Sequence, residues 1–82
     1  MQPIRYHVEA VWDPEASVWV ATSEDVPGLA TEADTIEDLA ERLRAMIPEL
    51  LAANGLLPAT IGAGPISFEL TGHREELVTL VS

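Results

Sequence analysis

Only one stretch of this chain has the spacing of a long amphipathic helix; the rest reads as strand, turn or loop. Ile36, Leu39, Ala40, Leu43, Met46, Ile47, Leu50 and Leu51 fall on one stripe at helical spacing, and Glu37, Asp38, Glu41, Arg42 and Glu49 fall opposite. One helix covers one face of a sheet and leaves the other face without cover from the same chain. The fold class is therefore α+β, a small sheet with a single helix packed on one face. At 82 residues the core is thin, and one domain spans residues 1–82.

The ends of the helix are written in the sequence. Asp34 or Thr35 can accept a bond from the first free N–H groups, Glu37 and Asp38 suit the positive end, and Asn54-Gly55 makes a C-terminal cap. Pro48 lies inside the pattern. It removes the bond to the Arg44 carbonyl, a loss of about 3 kcal/mol in isolation, but it falls on the solvent side, where water reaches the freed carbonyl. The expectation is one helix, bent convex to solvent, not two.

Residues 4–12 alternate: Ile4, Tyr6, Val8, Ala10 and Trp12 on one face, Arg5, His7 and Glu9 on the other. Asp13 to Ser17 reads as a turn and Val18 to Ser23 as the second strand of a hairpin. Val26-Pro27-Gly28-Leu29 suits a type II turn, which needs φ > 0 at its third position, and Ala30 to Ala33 reads as a short third strand. Leu56 to Pro65 reads as a loop. After it, Ile66, Phe68 and Leu70 alternate inward in a strand over Pro65 to Thr71. Gly72 to Glu75 then reads as a turn and Glu76 to Val81 as a last short strand. The order is β-β-β-α-β(-β), with the strand after the helix expected beside and parallel to the first, since the helix provides the crossover.

Strand two is apolar on both faces, Val18 and Val20 on one and Trp19 and Ala21 on the other, and the last segment opposes Leu77 and Val81 to Val78 and Leu80. A chain with no second layer of its own is expected to take cover from a partner, so a homo-oligomer is expected. Trp19, placed on the less covered face, is the expected interface anchor.

Charge narrows the partners. Fourteen acids stand against four arginines, with no lysine, for a net charge of −10. Phosphate backbones are held by clustered Lys and Arg, so binding of nucleic acid is not expected. Acidity alone keeps a small protein soluble, but an acidic surface also complements a basic protein. Nine of the fourteen acids lie between Asp13 and Glu41. Within that span Glu24, Asp25 and Glu32, together with Trp19, are the expected partner-binding residues.

Few residues offer catalytic chemistry. His7 and His73 lack zinc-site spacing and cysteine is absent. No Gly-rich phosphate loop or nucleophile elbow is present, so no cofactor, metal or catalytic residue is expected. The carboxylates Glu9, Asp13, Glu24, Asp25 and Asp34 belong to a strand, turns and a helix cap. Two-metal hydrolysis would require them to converge. No membrane-length apolar run or basic, apolar leader is seen, and the expected location is cytoplasmic.

Ala10 to Asp13, Val26 to Asp34 and Leu43 to Leu51 resemble the HicB-like antitoxin domain, and resemble still more closely the DUF1902 group of small bacterial proteins of unknown function. The resemblance covers about residues 4–55. It implies a partial ribonuclease H-like fold and a non-enzymatic module that blocks a small, basic, RNA-cleaving toxin. The operator-binding helical segment of HicB-like antitoxins has no match after residue 55. The alternative is a stand-alone structural or regulatory homo-oligomer; the third is a degenerate ribonuclease H-like hydrolase.

Overall fold

A computed structural model describes residues 5–56 and 66–81. The chain forms β1 (Arg5–Asp13), β2 (Val18–Thr22), β3 (Ala30–Ala33), α1 (Ile36–Ala53) and β4 (Ser67–His73). The sheet order is β3-β2-β1-β4, with β1 antiparallel to β2, β2 antiparallel to β3, and β4 parallel to β1. This is the α+β sheet with one covering helix, and the parallel return expected of a helical crossover. The expectations at Ile4 and over most of the 56–65 loop fall outside the described residues.

Alternation along β1 sorts its side chains cleanly. Tyr6, Val8 and Ala10 are buried while Arg5, His7 and Glu9 are exposed. The buried side meets α1, whose Leu39, Leu43, Ile47 and Leu51 recur every four residues and are fully buried. Ala21, Val26, Leu29 and Ala33 complete the core, and Trp19, Ile36, Phe68 and Leu70 pack at its margin. Ala10, Ala21 and Gly72 lie side by side in register. That row of small side chains leaves room for the start of the helix and for the Trp19 ring: a Cβ on Gly72 would stand 3.4 Å from Trp19 and 3.5 Å from Ile36.

The helix ends follow the sequence. Thr35 is extended and its Oγ1 accepts the Asp38 N–H at 3.1 Å. At the other end the Leu56 N–H reaches the Leu51 carbonyl at 2.8 Å and the Gly55 N–H reaches the Ala52 carbonyl at 3.1 Å, with Gly55 at φ 67°. That pair of bonds is a Schellman closure. α1 runs through Pro48 without a break, and Pro48 is exposed.

Two expectations are corrected. The strand over Glu76–Val81 is not formed: Gly72 and His73 belong to β4, and residues 74–81 leave the sheet without regular structure. The last β1–β4 pair is Val11 with His73, and β1 ends two residues later, so among the described residues little strand is left for this segment to join. Trp19, in turn, is not on the less covered face. The hairpin pairs Asp13 with Val18 and Trp12 with Trp19, which puts Trp19 on the side of Tyr6, Val8 and Ala10, under the helix. The open face instead carries Val11, Val18 and Val20 among polar side chains.

Candidate functional site

The loop from β2 to β3 is built by its own side chains. Asp13 does the same for the hairpin, its Oδ1 accepting from the N–H of Glu15 at 3.0 Å and of Ala16 at 3.3 Å. In the β2–β3 loop Ser23 Oγ donates to the His7 carbonyl and accepts the N–H groups of Asp25 and Val26 at 3.1 and 3.3 Å. Asp25 Oδ2 accepts the His7 N–H at 2.7 Å. Pairing of β1 with β2 stops at Glu9 and Thr22, so the loop serves the backbone of His7 with side chains where the ladder has run out. Asp25 is therefore part of the fold as well as part of the acidic surface. It is not a freely reversible surface charge.

Next along the chain, Gly28 takes φ 83° and the Leu29 N–H meets the Val26 carbonyl at 3.2 Å, the type II turn. Val26 and Leu29 are buried on either side of it. Asn54 Nδ2 donates to the Pro27 carbonyl at 3.3 Å and to the Leu50 carbonyl at 2.8 Å, which ties the turn to the end of α1. The Val-Pro-Gly-Leu element thus has a structural use.

Acidic side chains gather elsewhere. A cleft of about 480 Å³ lies between the edge strand β3 and the first turns of α1, lined by Glu32, Asp34, Asp38 and Glu41 with Val18 and Arg42. β3 is an outer strand of the sheet, so one of its backbone edges is not paired with another described strand. A second cleft, of about 400 Å³, is lined by His7, Glu9, Glu24 and Asp25. There Glu69 lies 3.5 Å from His7 and 3.9 Å from Arg5 across the β1–β4 pair, in exposed contacts of small energetic weight.

The four expected partner-binding residues are thus not brought together. Glu24 and Asp25 line the second cleft and Glu32 the first, while Trp19 packs edge-on to Trp12 with centroids 5.4 Å apart at 62°. Glu32 pairs with Val20 and Trp19 with Ala33, so Glu32 and Trp19 point to opposite faces. The sequence places the acids of residues 24–41 around the third strand and the helix start, but singles out only Glu24, Asp25 and Glu32; the structure gives Glu32 the companions Asp34, Asp38 and Glu41. The available signal was the i, i+3 spacing of Asp38 and Glu41 on the polar side of the helix start, beside a strand only two residues upstream. Among the described residues no three His, Asp or Glu side chains gather as metal ligands, and no helix is long and apolar enough to cross a membrane.

A four-stranded sheet with one helix, carrying acidic clefts, defines a small α+β domain. Over residues 5–80 the chain matches the family described as domain of unknown function DUF1902, and it belongs to that family. It is similar to the crystal structure of the hypothetical protein TTHA1013 from the extremely thermophilic bacterium Thermus thermophilus. That likeness has 45% sequence identity and a TM-score of 0.66, and covers 93% of this chain and 99% of the other. No protein of curated function matches the chain.

Proposed function

We propose that this chain is a non-enzymatic protein-binding module of antitoxin type, whose acidic cleft between β3 and α1 receives a small basic protein. The observation that carries this reading is the convergence of Glu32, Asp34, Asp38 and Glu41 on one cleft beside an outer strand. Four carboxylates steer a cationic partner, and an open strand edge offers backbone pairing to an extended segment of it. The sequence likeness to HicB-like antitoxin domains supports the same class of partner. The stripe that α1 turns to the sheet is aliphatic, Leu39, Leu43, Ile47 and Leu51, and so contributes no carboxylate to ribonuclease H-like chemistry.

The test is capture of partners from the host by the tagged protein, with mass spectrometry of what is retained. The expected partner is small and basic, and is lost as salt rises, because exposed charges are screened over about 8 Å at physiological ionic strength. Glu32→Lys with Glu41→Lys should slow its association without unfolding the domain. An acidic partner, or association indifferent to salt and to these reversals, would overturn the proposal. A stand-alone homo-oligomer is a second reading, favoured by the aliphatic residues exposed beyond β4.

A further inference from the structure

Beyond β4 lie the most exposed large aliphatic side chains among the described residues. Leu77, Val78, Leu80 and Val81 are 96%, 80%, 92% and 92% exposed. Four such residues within five positions, alternating sides along the segment, expose apolar area of a kind that soluble monomers seldom carry and that marks a contact. The family match runs through residue 80, so the segment lies within the DUF1902 domain itself.

We infer that residues 74–81 are an arm that seats on a second copy of this chain, each copy covering the other. The root of the arm is fixed. The Arg74 guanidinium lies 4.1 Å from the centre of the Trp12 ring, and its Nε meets Glu76 Oε1 at 2.6 Å. These contacts hold the arm on the line of β4, past the final β1 pair at His73, where β1 has only Trp12 and Asp13 left to offer. The longest strand spans about 30 Å at 3.3 Å per residue, and the molecule is 62 Å along its main axis against 24 and 19 Å across. Leu77 still borders a cleft with Val11, Trp12 and His73, and beyond it Val78, Leu80 and Val81 are exposed.

The surface that matches it is on the same chain. Val11, 53% exposed, stands with the half-buried Val18 and Val20 on the side of the sheet that α1 leaves open, in neighbouring register beside the arm root. Polar side chains border it, His73 beside Val11, Asp13 beside Val18 and Glu32 beside Val20, and the rest of that face carries Arg5, His7, Glu9, Thr22 and Glu69. An arm apolar on both sides and an aliphatic patch that no helix covers thus lie near one another, and both stay exposed in the single molecule. A two-fold axis beside the hairpin end brings each arm over the other copy's patch, an isologous contact that closes at two chains. Eight extended residues reach about 26 Å, and four strands at about 4.8 Å spacing make a sheet narrower than that, so one arm can cross the partner's sheet. Beyond Glu76 the arm carries no charge, which suits an aliphatic seat and not the basic partner proposed above; the two surfaces meet at Val18 and Glu32 and part from there, one toward α1 and the other toward Val11.

Sedimentation equilibrium of the full chain at micromolar concentration tests this, with a mass of twice 8.9 kDa expected. Leu77→Asp with Leu80→Asp should weaken dimerisation by on the order of a hundredfold, and Val20→Asp on the receiving face should do likewise, as for central contact residues. The far-ultraviolet circular dichroism of the arm variant should not change, since the arm adds nothing to the fold of a single copy. The natural absence of cysteine permits a direct measurement of the seat. A chain with Val20→Cys mixed with a chain bearing Leu80→Cys should form a disulfide between copies on mild oxidation. A wild-type chain that stays monomeric overturns the inference, as does a dimer indifferent to the arm substitutions. A dimer that yields no mixed disulfide overturns the seat at Val20. Glu41→Lys, which alters the acidic cleft from α1 and not from the open face of the sheet, should leave the dimer intact, so failure of the acidic-cleft proposal and failure of this one are separable.

Discussion

At the scale of single residues, several positions that read as surface decoration do structural work through the backbone. Asp25 and Glu24 are neighbours of equal charge, but only Asp25 is given a backbone partner among the bonds of this loop, the His7 N–H. Asp25→Ala is expected to lower the unfolding free energy by about 1 kcal/mol, the usual worth of one such bond. Glu24→Ala should stay within about 0.5 kcal/mol. Urea denaturation of the two variants side by side checks the difference. Gly28 is held at φ 83°, where a side chain is strained, although a Cβ there would find Leu50 only at an ordinary 3.7 Å. Gly28→Ala is therefore expected to cost about 1–2 kcal/mol through backbone strain alone, with no clash to relieve. A denaturation midpoint equal to wild type would show that the turn can flip to another type.

At the scale of elements, the helix is the part whose design is simplest to test. Thr35→Ala removes the acceptor for the Asp38 N–H and should cost about 1 kcal/mol, read as a lower thermal midpoint with an unchanged folded spectrum. The elements up to Gly55 were legible because each is signalled locally: alternation for β1, Asp13 and Pro14 for the hairpin turn, Gly28 for the type II turn, Thr35 and Gly55 for the helix ends. Less legible was anything that depends on which strand lies next to which. Trp19 alternates correctly, but parity alone does not say which of the two faces of β2 joins the core. That is fixed by the hairpin register, Trp12 against Trp19. The same limit applies to Glu76–Val81, where an alternating pattern marks an extended segment without saying whether a neighbouring strand exists. The acidic site was half legible. Position along the chain puts the acids of residues 24–41 near the third strand and the helix start, but which of them share a cleft, Glu32 with Asp34, Asp38 and Glu41 and apart from Glu24 and Asp25, requires the strand to be laid beside the helix.

At the scale of the whole molecule, the fold has one covered face, one open face, and two ends with different chemistry. Carboxylates gather between β3 and the start of α1, and aliphatic side chains project beyond β4, the strand at the opposite edge of the sheet. The tryptophan pair stands between the sheet and the projecting segment, and this has an optical consequence. Two indoles 5.4 Å apart and crossed at 62° couple their excited states, so the folded protein should show an exciton pair in the circular dichroism of its indole bands. Trp12→Phe should abolish the pair of opposite-signed bands, as should unfolding. Because Arg74 lies on the face of Trp12, the emission of that indole is expected to respond whenever the segment it begins changes its surroundings. The chain thus carries its own fluorophore where the C-terminal segment departs, and a titration of protein concentration followed by tryptophan emission can report that event without any added label.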